Sequence, residues 1–258
     1  MSDEAVSQSD ITGRKVFFLY PNAFVKNHVI TELIQNEYEV YIAKDHARLS
    51  RALKKYPDSI LFVNIDEGMP VQEWEKWVQG LVTPMPDIKI GVFSSNTDEE
   101  FRDKIVKDLS VTCGFMTLKF DTSKIVKNIL EVLNTLNVKG RRKYLRATTE
   151  RETTATINMP FGGNFIKGTI KDISVVGFSC SFQQDPGLSK NALEKDIQIR
   201  LQTMLLKVEA VVLGSRTDSS GEKVYVLLFT QRIDPDVRVK IRVYVQHNLQ
   251  SKMDFEIS

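Results

Sequence analysis

Short apolar runs alternate with longer amphipathic segments throughout residues 14–138. Each apolar run has the length of a buried strand, and each following segment carries apolar residues at the spacing of three and four that indicates a helix. The five runs lie at 15–20, 40–43, 59–65, 88–94 and 114–120. Because parallel strands need crossover helices that cover both faces of the sheet, this alternation predicts a doubly wound (βα)5 parallel sheet.

The hydrophobic period changes to two in the second half of the chain, where apolar and polar residues alternate. Six such segments lie at 154–159, 164–173, 176–182, 196–201, 207–214 and 223–229. Short strands at this spacing predict a six-stranded antiparallel barrel. The valines after Pro235 fit either a strand or a helix, but Asp234 before Pro235 is a helix-start signal and favours a final helix. The fold class is therefore α/β plus all-β.

These changes of period divide the chain into four regions. We expect a flexible N-terminal tail at 1–13, an α/β domain at 14–138, a basic linker at 139–147 and a barrel domain at 148–258. The end of the last helix of the α/β domain should lie near Gly140, a residue free to take the left-handed conformation.

The charges nearly balance, with 35 basic and 33 acidic residues and a net charge of +2, so an anionic partner would have to bind a local cluster. One basic cluster lies at 139–146.

No apolar run approaches the roughly 20 residues of a membrane helix, and the polar start of the sequence is no secretory signal, so we expect a cytoplasmic protein without membrane insertion. Cys113 and Cys180 lack a CxxC partner and the three histidines are scattered, so we expect neither a metal nor a cofactor. Since no nucleophile motif or phosphate-binding glycine loop occurs, we do not expect an enzyme.

Two short segments carry residue types suited to a guanine nucleotide: RRKYLR at 141–146 and DISVVG at 172–177. A planar guanidinium can grip O6 and N7 of guanine bidentately, and it also neutralises phosphodiesters. The Asp172 carboxylate suits the N1–H and N2–H donors of the same base, and the Ser174 hydroxyl can add a contact. Gly177 permits a close backbone approach and an unusual φ. Taken alone, the basic run would be a solvated linker and the second segment a strand end.

The two segments in this order resemble the PilZ domain, whose pattern is RxxxR followed by (D/N)xSxxG. Arg142 and Arg146 fill the first motif, and Asp172, Ser174 and Gly177 fill the second. The resemblance covers the chain from the linker onward. It implies a bacterial receptor that binds the second messenger cyclic di-GMP and transmits the signal through an inter-domain conformational change. The signal would reach a downstream protein, for example one that controls motility. An arginine directly before RxxxR, here Arg141, implies two ligand molecules per domain.

Nucleic-acid binding through the same basic segment is the alternative, since lysine and arginine runs attract phosphates in general. The predicted strands show no aromatic pair of the kind on which RNA-binding sheets stack bases. The sequence therefore favours cyclic di-GMP over DNA or RNA and leaves the downstream partner and the oligomeric state open.

The α/β domain resembles the receiver domain of response regulators. In the segment IDEGMP, Asp66 stands where receivers carry the phosphoacceptor, and Lys119 stands at the phosphate-sensing position. Ser94 or Ser95 suits the switch hydroxyl. Receivers hold Mg²⁺ with an acidic pair after the first strand, because a hard cation needs carboxylate oxygens. The corresponding residues here are Tyr20, Pro21 and Asn22. The resemblance therefore implies a degenerate receiver with a vestigial site.

Overall fold

The computed structural model describes residues 12–119, 121–149 and 155–258, so nearly all of the predicted tail at 1–13 lies outside the described residues. The chain folds as two compact units. The first holds the described residues up to Lys143 together with Gln250–Ser258, and the second is Tyr144–Leu249. No helix in the described part of the chain is long and apolar enough to span a bilayer.

The first unit contains the predicted parallel sheet of five strands, in the order β2-β1-β3-β4-β5. Its strands are β1 (Val16–Leu19), β2 (Val40–Ala43), β3 (Ile60–Asn64), β4 (Lys89–Ser94) and β5 (Phe115–Thr117). A π-helical segment (Val25–Ile30) runs into α1 (Thr31–Gln35), and α2 (His46–Lys55), α3 (Val71–Val82), α4 (Glu99–Asp108) and α5 (Thr122–Thr135) follow. The central strands β1 and β3 are buried along their whole length because helices cover both faces, as predicted.

The edge strand β2 is covered by a side chain from the end of the chain. Val16 N–H donates to the Glu39 carbonyl and Tyr20 N–H donates to the Ala43 carbonyl, so the backbone of Ile42 points away from β1. Ile42 N–H donates to Gln250 Oε1 at 2.8 Å, and Gln250 Nε2 donates to the Ile42 carbonyl at 3.2 Å. The amide thus takes the place of a neighbouring strand. This contact helps to explain why residues 250–258 group with the first unit, whereas the sequence assigns them to the barrel.

Helix α5 ends in a left-handed residue, but that residue is Asn137, with a φ of 49°, and not Gly140 as the sequence predicts. Asn137 N–H donates to the Asn134 carbonyl at 3.0 Å and Val138 N–H donates to the Leu133 carbonyl at 3.1 Å. This is the hydrogen-bond pattern of a Schellman motif, in which the left-handed position follows the helix end closely. The helix ends at Thr135, which is too early for Gly140 to fill that position.

The second unit is the predicted antiparallel barrel. Its strands are β6 (Ala147–Thr148), β7 (Ala155–Phe161), β8 (Asn164–Ser174), β9 (Gly177–Phe182), β10 (Leu193–Leu201), β11 (Met204–Thr217) and β12 (Lys223–Phe229), and α6 (Pro235–Glu256) follows. Six strands close the ring β8-β7-β10-β11-β12-β9, because β9 also pairs with β8. The short strand β6 pairs with β8 as an additional strand.

The final helix is confirmed, and the structure shows why the strand-like alternation of its valines misleads. The Asp234 side chain accepts from Asp236 N–H at 2.8 Å and the Asp234 carbonyl accepts from Val237 N–H at 3.0 Å, so the chain turns into a helix here. One face of α6 packs into the barrel core with Ile241, Tyr244 and Val245. Val239 and Val243, which belong to the same alternation, are more than half exposed.

Candidate functional site

A two-residue strand brings the two motifs of the barrel together. Strand β6 pairs with β8 in the register Ala147↔Ile173 and Thr148↔Asp172. Because Arg146 directly precedes this strand, its side chain reaches the same part of β8, and Arg146 Nη1 lies 3.5 Å from Asp172 Oδ1. The structure therefore makes neighbours of residues that are 26 positions apart in the sequence.

A β-bulge in β8 places Asp172 on the outer surface of the barrel. Ile170 and Ile173 are both fully buried in the core, with Lys171 and Asp172 between them, and the pairing with β9 shifts by one residue at this point. Strict alternation from Ile170 would point Asp172 into the core. The extra residue reverses its direction, as bulges near functional sites commonly do.

Both oxygens of the Asp172 carboxylate have partners. Ser179 Oγ donates to Asp172 Oδ2, and Arg146 approaches Oδ1. The Asp172 side chain is 19% exposed and that of Arg146 is 48% exposed. An ion pair this exposed contributes little to stability, so Arg146 can exchange its carboxylate partner for a ligand at low cost.

Ser174 and Gly177 shape the turn between β8 and β9. Ser174 Oγ donates to the Gly177 carbonyl at 3.1 Å and accepts from Val176 N–H at 3.4 Å. A Cβ atom on Gly177 would lie 2.3 Å from the Leu227 carbonyl oxygen, so this position needs glycine because β12 approaches closely. The expected unusual φ is wrong, since Gly177 is not in the left-handed region. Contacts of Ser174 and Gly177 with a ligand stay predictions.

The first two arginines of the basic segment, Arg141 and Arg142, precede the second unit in the chain and are exposed. Neither forms an ion pair with another residue in the described part of the chain. Their guanidinium groups are therefore available to an anion, and their role in ligand binding stays a prediction.

In the receiver-like unit, the Asp66 carboxylate is already hydrogen-bonded within the protein. Ser94 Oγ donates to Asp66 Oδ1 at 2.6 Å and Ser95 N–H donates to Oδ2 at 2.6 Å. The structure thus brings Asp66 and Ser94 together. Lys119 is exposed, and within the described ranges it forms no ion pair with Asp66.

An aromatic side chain packs against the turn that follows Asp66. Tyr20 has a φ of 53°, and a Cβ atom on Gly68 would overlap its ring. Its hydroxyl is hydrogen-bonded to His46 Nδ1 at 3.0 Å, and its ring meets that of Trp74 edge-on. The Asn22 side chain caps the following helical segment by accepting from Val25 N–H at 2.9 Å.

Among the residues that the structure describes, no group of three or more His, Cys, Asp or Glu could hold a metal ion.

The two cysteines are core residues. Cys113 and Cys180 are both buried and unpaired with each other, and burial raises the pKa of each thiol above its ordinary value. A thiol whose pKa is raised by burial is a poor nucleophile.

Sequence reasoning missed two parts of this site. Strand β6 is only two residues long, too short for any period to show. Ser179 lies outside both motifs, although the alternation around it, with Phe178 and Cys180 in the core, indicates that it faces outward like Asp172. That alternation was the available signal.

No protein-family model and no curated protein matches the chain. Similar solved structures include the PilZ domain of YcgR with c-di-GMP from Escherichia coli, with 15% identity, 44% of this chain and 98% of that chain covered, and a TM-score of 0.37. The K. pneumonia MrkH–c-di-GMP complex has 22% identity, covers 45% of this chain and 57% of that chain, and has a TM-score of 0.37. A response regulator from Thermotoga maritima has 17% identity, with 47% of this chain and 98% of that chain covered, and a TM-score of 0.40. The structures similar to this chain thus include a PilZ domain and a response regulator.

Proposed function

We propose that the barrel is a receptor for cyclic di-GMP and that it acts by binding and not by catalysis. The observation that carries the proposal is the pairing of β6 with β8, because it sets Arg146 beside Asp172 on the outer barrel surface. A cation and an anion at this spacing offer complementary contacts to one guanine, whose edges carry both acceptors and donors.

The proposed contacts divide the ligand between the two motifs. Arg146 and Arg142 grip the Hoogsteen edge of a guanine or a phosphodiester, while the Asp172 carboxylate accepts from guanine N1–H and N2–H. Ser174 and Gly177 keep the β8–β9 turn close to this position. Arg141 supplies a further cation, which accommodates a second ligand molecule.

Isothermal titration calorimetry of the full chain against cyclic di-GMP tests the proposal, with GTP and cyclic di-AMP as competing nucleotides. We expect specific binding, with two ligand molecules per chain. Each of Arg142→Ala, Arg146→Ala and Asp172→Ala should weaken binding by about 5- to 150-fold, since a good bidentate contact contributes on the order of 1–3 kcal/mol.

A matched control is Arg200→Ala, which removes an exposed arginine from β10 and should leave the affinity unchanged. Wild-type affinity in Arg146→Ala would contradict the assignment of the motif. A single-stranded RNA or DNA oligonucleotide is a further arm of the titration. If it bound more tightly than cyclic di-GMP, the nucleic-acid alternative would replace this proposal.

We also propose that the ligand transmits its signal through the linker at 139–147 to a downstream protein. The proposal is supported by the exposed, adjacent arginines Arg141 and Arg142, whose like charges repel each other until an anion binds. A ligand that binds the ordered linker preferentially shifts the population toward it. Hydrogen exchange across 138–147 should slow when cyclic di-GMP binds. Equal exchange with and without ligand would remove this mechanism and leave binding intact.

A further inference from the structure

We infer that Ser179 is the positioning residue that gives the barrel its selectivity for guanine. The inference rests on the proposed function, because it concerns the carboxylate that would read the base. Ser179 belongs to neither sequence motif and enters only through the β8–β9 pairing, in which it lies opposite Asp172.

Ser179 is enclosed although it faces outward from the barrel. Its neighbours along β9, Phe178 and Cys180, point into the core, so Ser179 points to the surface that carries Asp172. Only 2% of Ser179 is exposed, compared with 19% of the Asp172 side chain. The serine therefore lies beneath the carboxylate and is shielded from solvent, while the carboxylate itself stays accessible.

The hydrogen bond between these residues has a defined direction. An ionised carboxylate only accepts, so the Ser179 hydroxyl must donate to Asp172 Oδ2. Hydrogen bonds from a hydroxyl to an ionised carboxylate are among the stronger ones in proteins. Ser179 lies on β9, which is paired on both sides, whereas Asp172 lies at a bulge. The hydroxyl of Ser179 is therefore held firmly and orients the carboxylate of Asp172.

Selectivity follows from this orientation. A carboxylate has lone pairs for about four hydrogen bonds, so Asp172 can accept from guanine N1–H and N2–H while it keeps Ser179. Adenine offers no such pair of donors, and a correctly aimed carboxylate opposite its unprotonated N1 is repulsive. Without Ser179 the carboxylate can rotate, and both the attraction for guanine and the discrimination against adenine decrease.

The test compares affinities of the full chain for cyclic di-GMP and cyclic di-AMP by calorimetry. We expect Ser179→Ala to weaken cyclic di-GMP binding by roughly tenfold, the loss typical of a hydrogen bond to a charged group, and to lower the ratio of the two affinities. Ser179→Thr keeps the hydroxyl and should restore the ratio. Ser179→Cys, which has nearly the same shape and only a weak donor, tests the same point if the alanine variant folds poorly.

The control is Ser181→Ala, two residues along the same strand. Ser181 is likewise buried and outward-facing, with 3% exposed, but its hydroxyl interacts with Glu222 and not with Asp172. Ser181→Ala should therefore leave the affinities for cyclic di-GMP and cyclic di-AMP unchanged. In the Asp172→Ala background, Ser179→Ala should have no further effect, because the serine acts only through the aspartate.

The outcomes separate this inference from the proposed function. If the wild-type chain does not bind cyclic di-GMP, the proposed function is wrong. If the wild-type chain binds and Ser179→Ala retains its affinity and its base selectivity, the receptor function stands and the role of Ser179 is refuted. An equal loss for both nucleotides, with the ratio unchanged, would make Ser179 a structural residue only and would also refute the inference.

Discussion

The side chain of Gln250 should control the stability of the edge strand β2. It forms two hydrogen bonds to the backbone of Ile42, and its second N–H donates to Asp254 Oδ1 at 3.0 Å. Gln250→Ala removes both bonds to Ile42 and exposes the two backbone groups to water or leaves them unpaired. At about 0.5–1.5 kcal/mol for each net hydrogen bond, the local loss is about 1–3 kcal/mol.

Residue-level hydrogen exchange is the appropriate assay, because a chain with two units need not unfold in a single two-state step. The Ile42 amide should exchange roughly 5- to 150-fold faster in Gln250→Ala, while the amides of the central strand β3 keep their protection. Ser251→Ala is the matched control, since it changes the adjacent exposed residue of the same helix and leaves the amide of Gln250 in place.

Gln250→Glu distinguishes a hydrogen-bond effect from a loss of packing. The glutamate has the same shape and can still accept from Ile42 N–H, but at neutral pH it places a negative oxygen against the Ile42 carbonyl and near Asp254. We expect the Ile42 amide to exchange faster than in the wild-type chain, with partial recovery of its protection when acidic pH protonates the new side chain. Unchanged protection of Ile42 in both variants would refute the reasoning.

Three further predictions concern other sites. Small phosphodonors with Mg²⁺ should not phosphorylate Asp66, because its carboxylate is already hydrogen-bonded and Tyr20, Pro21 and Asn22 stand where receivers carry the acidic pair that holds Mg²⁺; a phosphoprotein mass shift that Asp66→Asn abolishes would contradict this. Gly177→Ala should destabilise the barrel by about 1–3 kcal/mol, measured by hydrogen exchange of the amides of β9 and β12 even without ligand, because the new Cβ overlaps the Leu227 carbonyl, and wild-type protection would refute the close approach. The Tyr225 hydroxyl, with smaller contributions from its other partners, lowers the pKa of Asp185 from 3.8 to about 2, so the carboxylate stabilises the folded barrel above about pH 4 and this stability is lost as the pH falls toward 2. Tyr225→Phe should flatten that part of the curve of melting temperature against pH, and an unchanged curve would exclude the hydroxyl as the cause.

The sequence determines the architecture of both units because burial leaves a periodic record. The apolar runs of β1 and β3 are buried on both sides, and the alternation along β9 separates core residues such as Phe178 from outward ones such as Ser179. After Pro235 the hydrophobic period fits either a strand or a helix, and the helix-start signal at Asp234 correctly predicts the helix. In each case the physical cause acts within a few neighbouring residues, so it can be read without the fold.

The tertiary structure alone decided which chemical groups meet. Arg146 reaches Asp172 through a two-residue strand that is too short to show a period, and a single extra residue in β8 determines whether Asp172 faces the outer surface of the barrel or the core. The hydrogen bonds between Gln250 and Ile42 join positions 208 residues apart. The sequence misplaced the left-handed helix end at Gly140 because that position depends on where the helix stops. Such contacts depend on register and on long-range pairing, and a one-residue shift reverses the direction of a side chain while local composition stays the same.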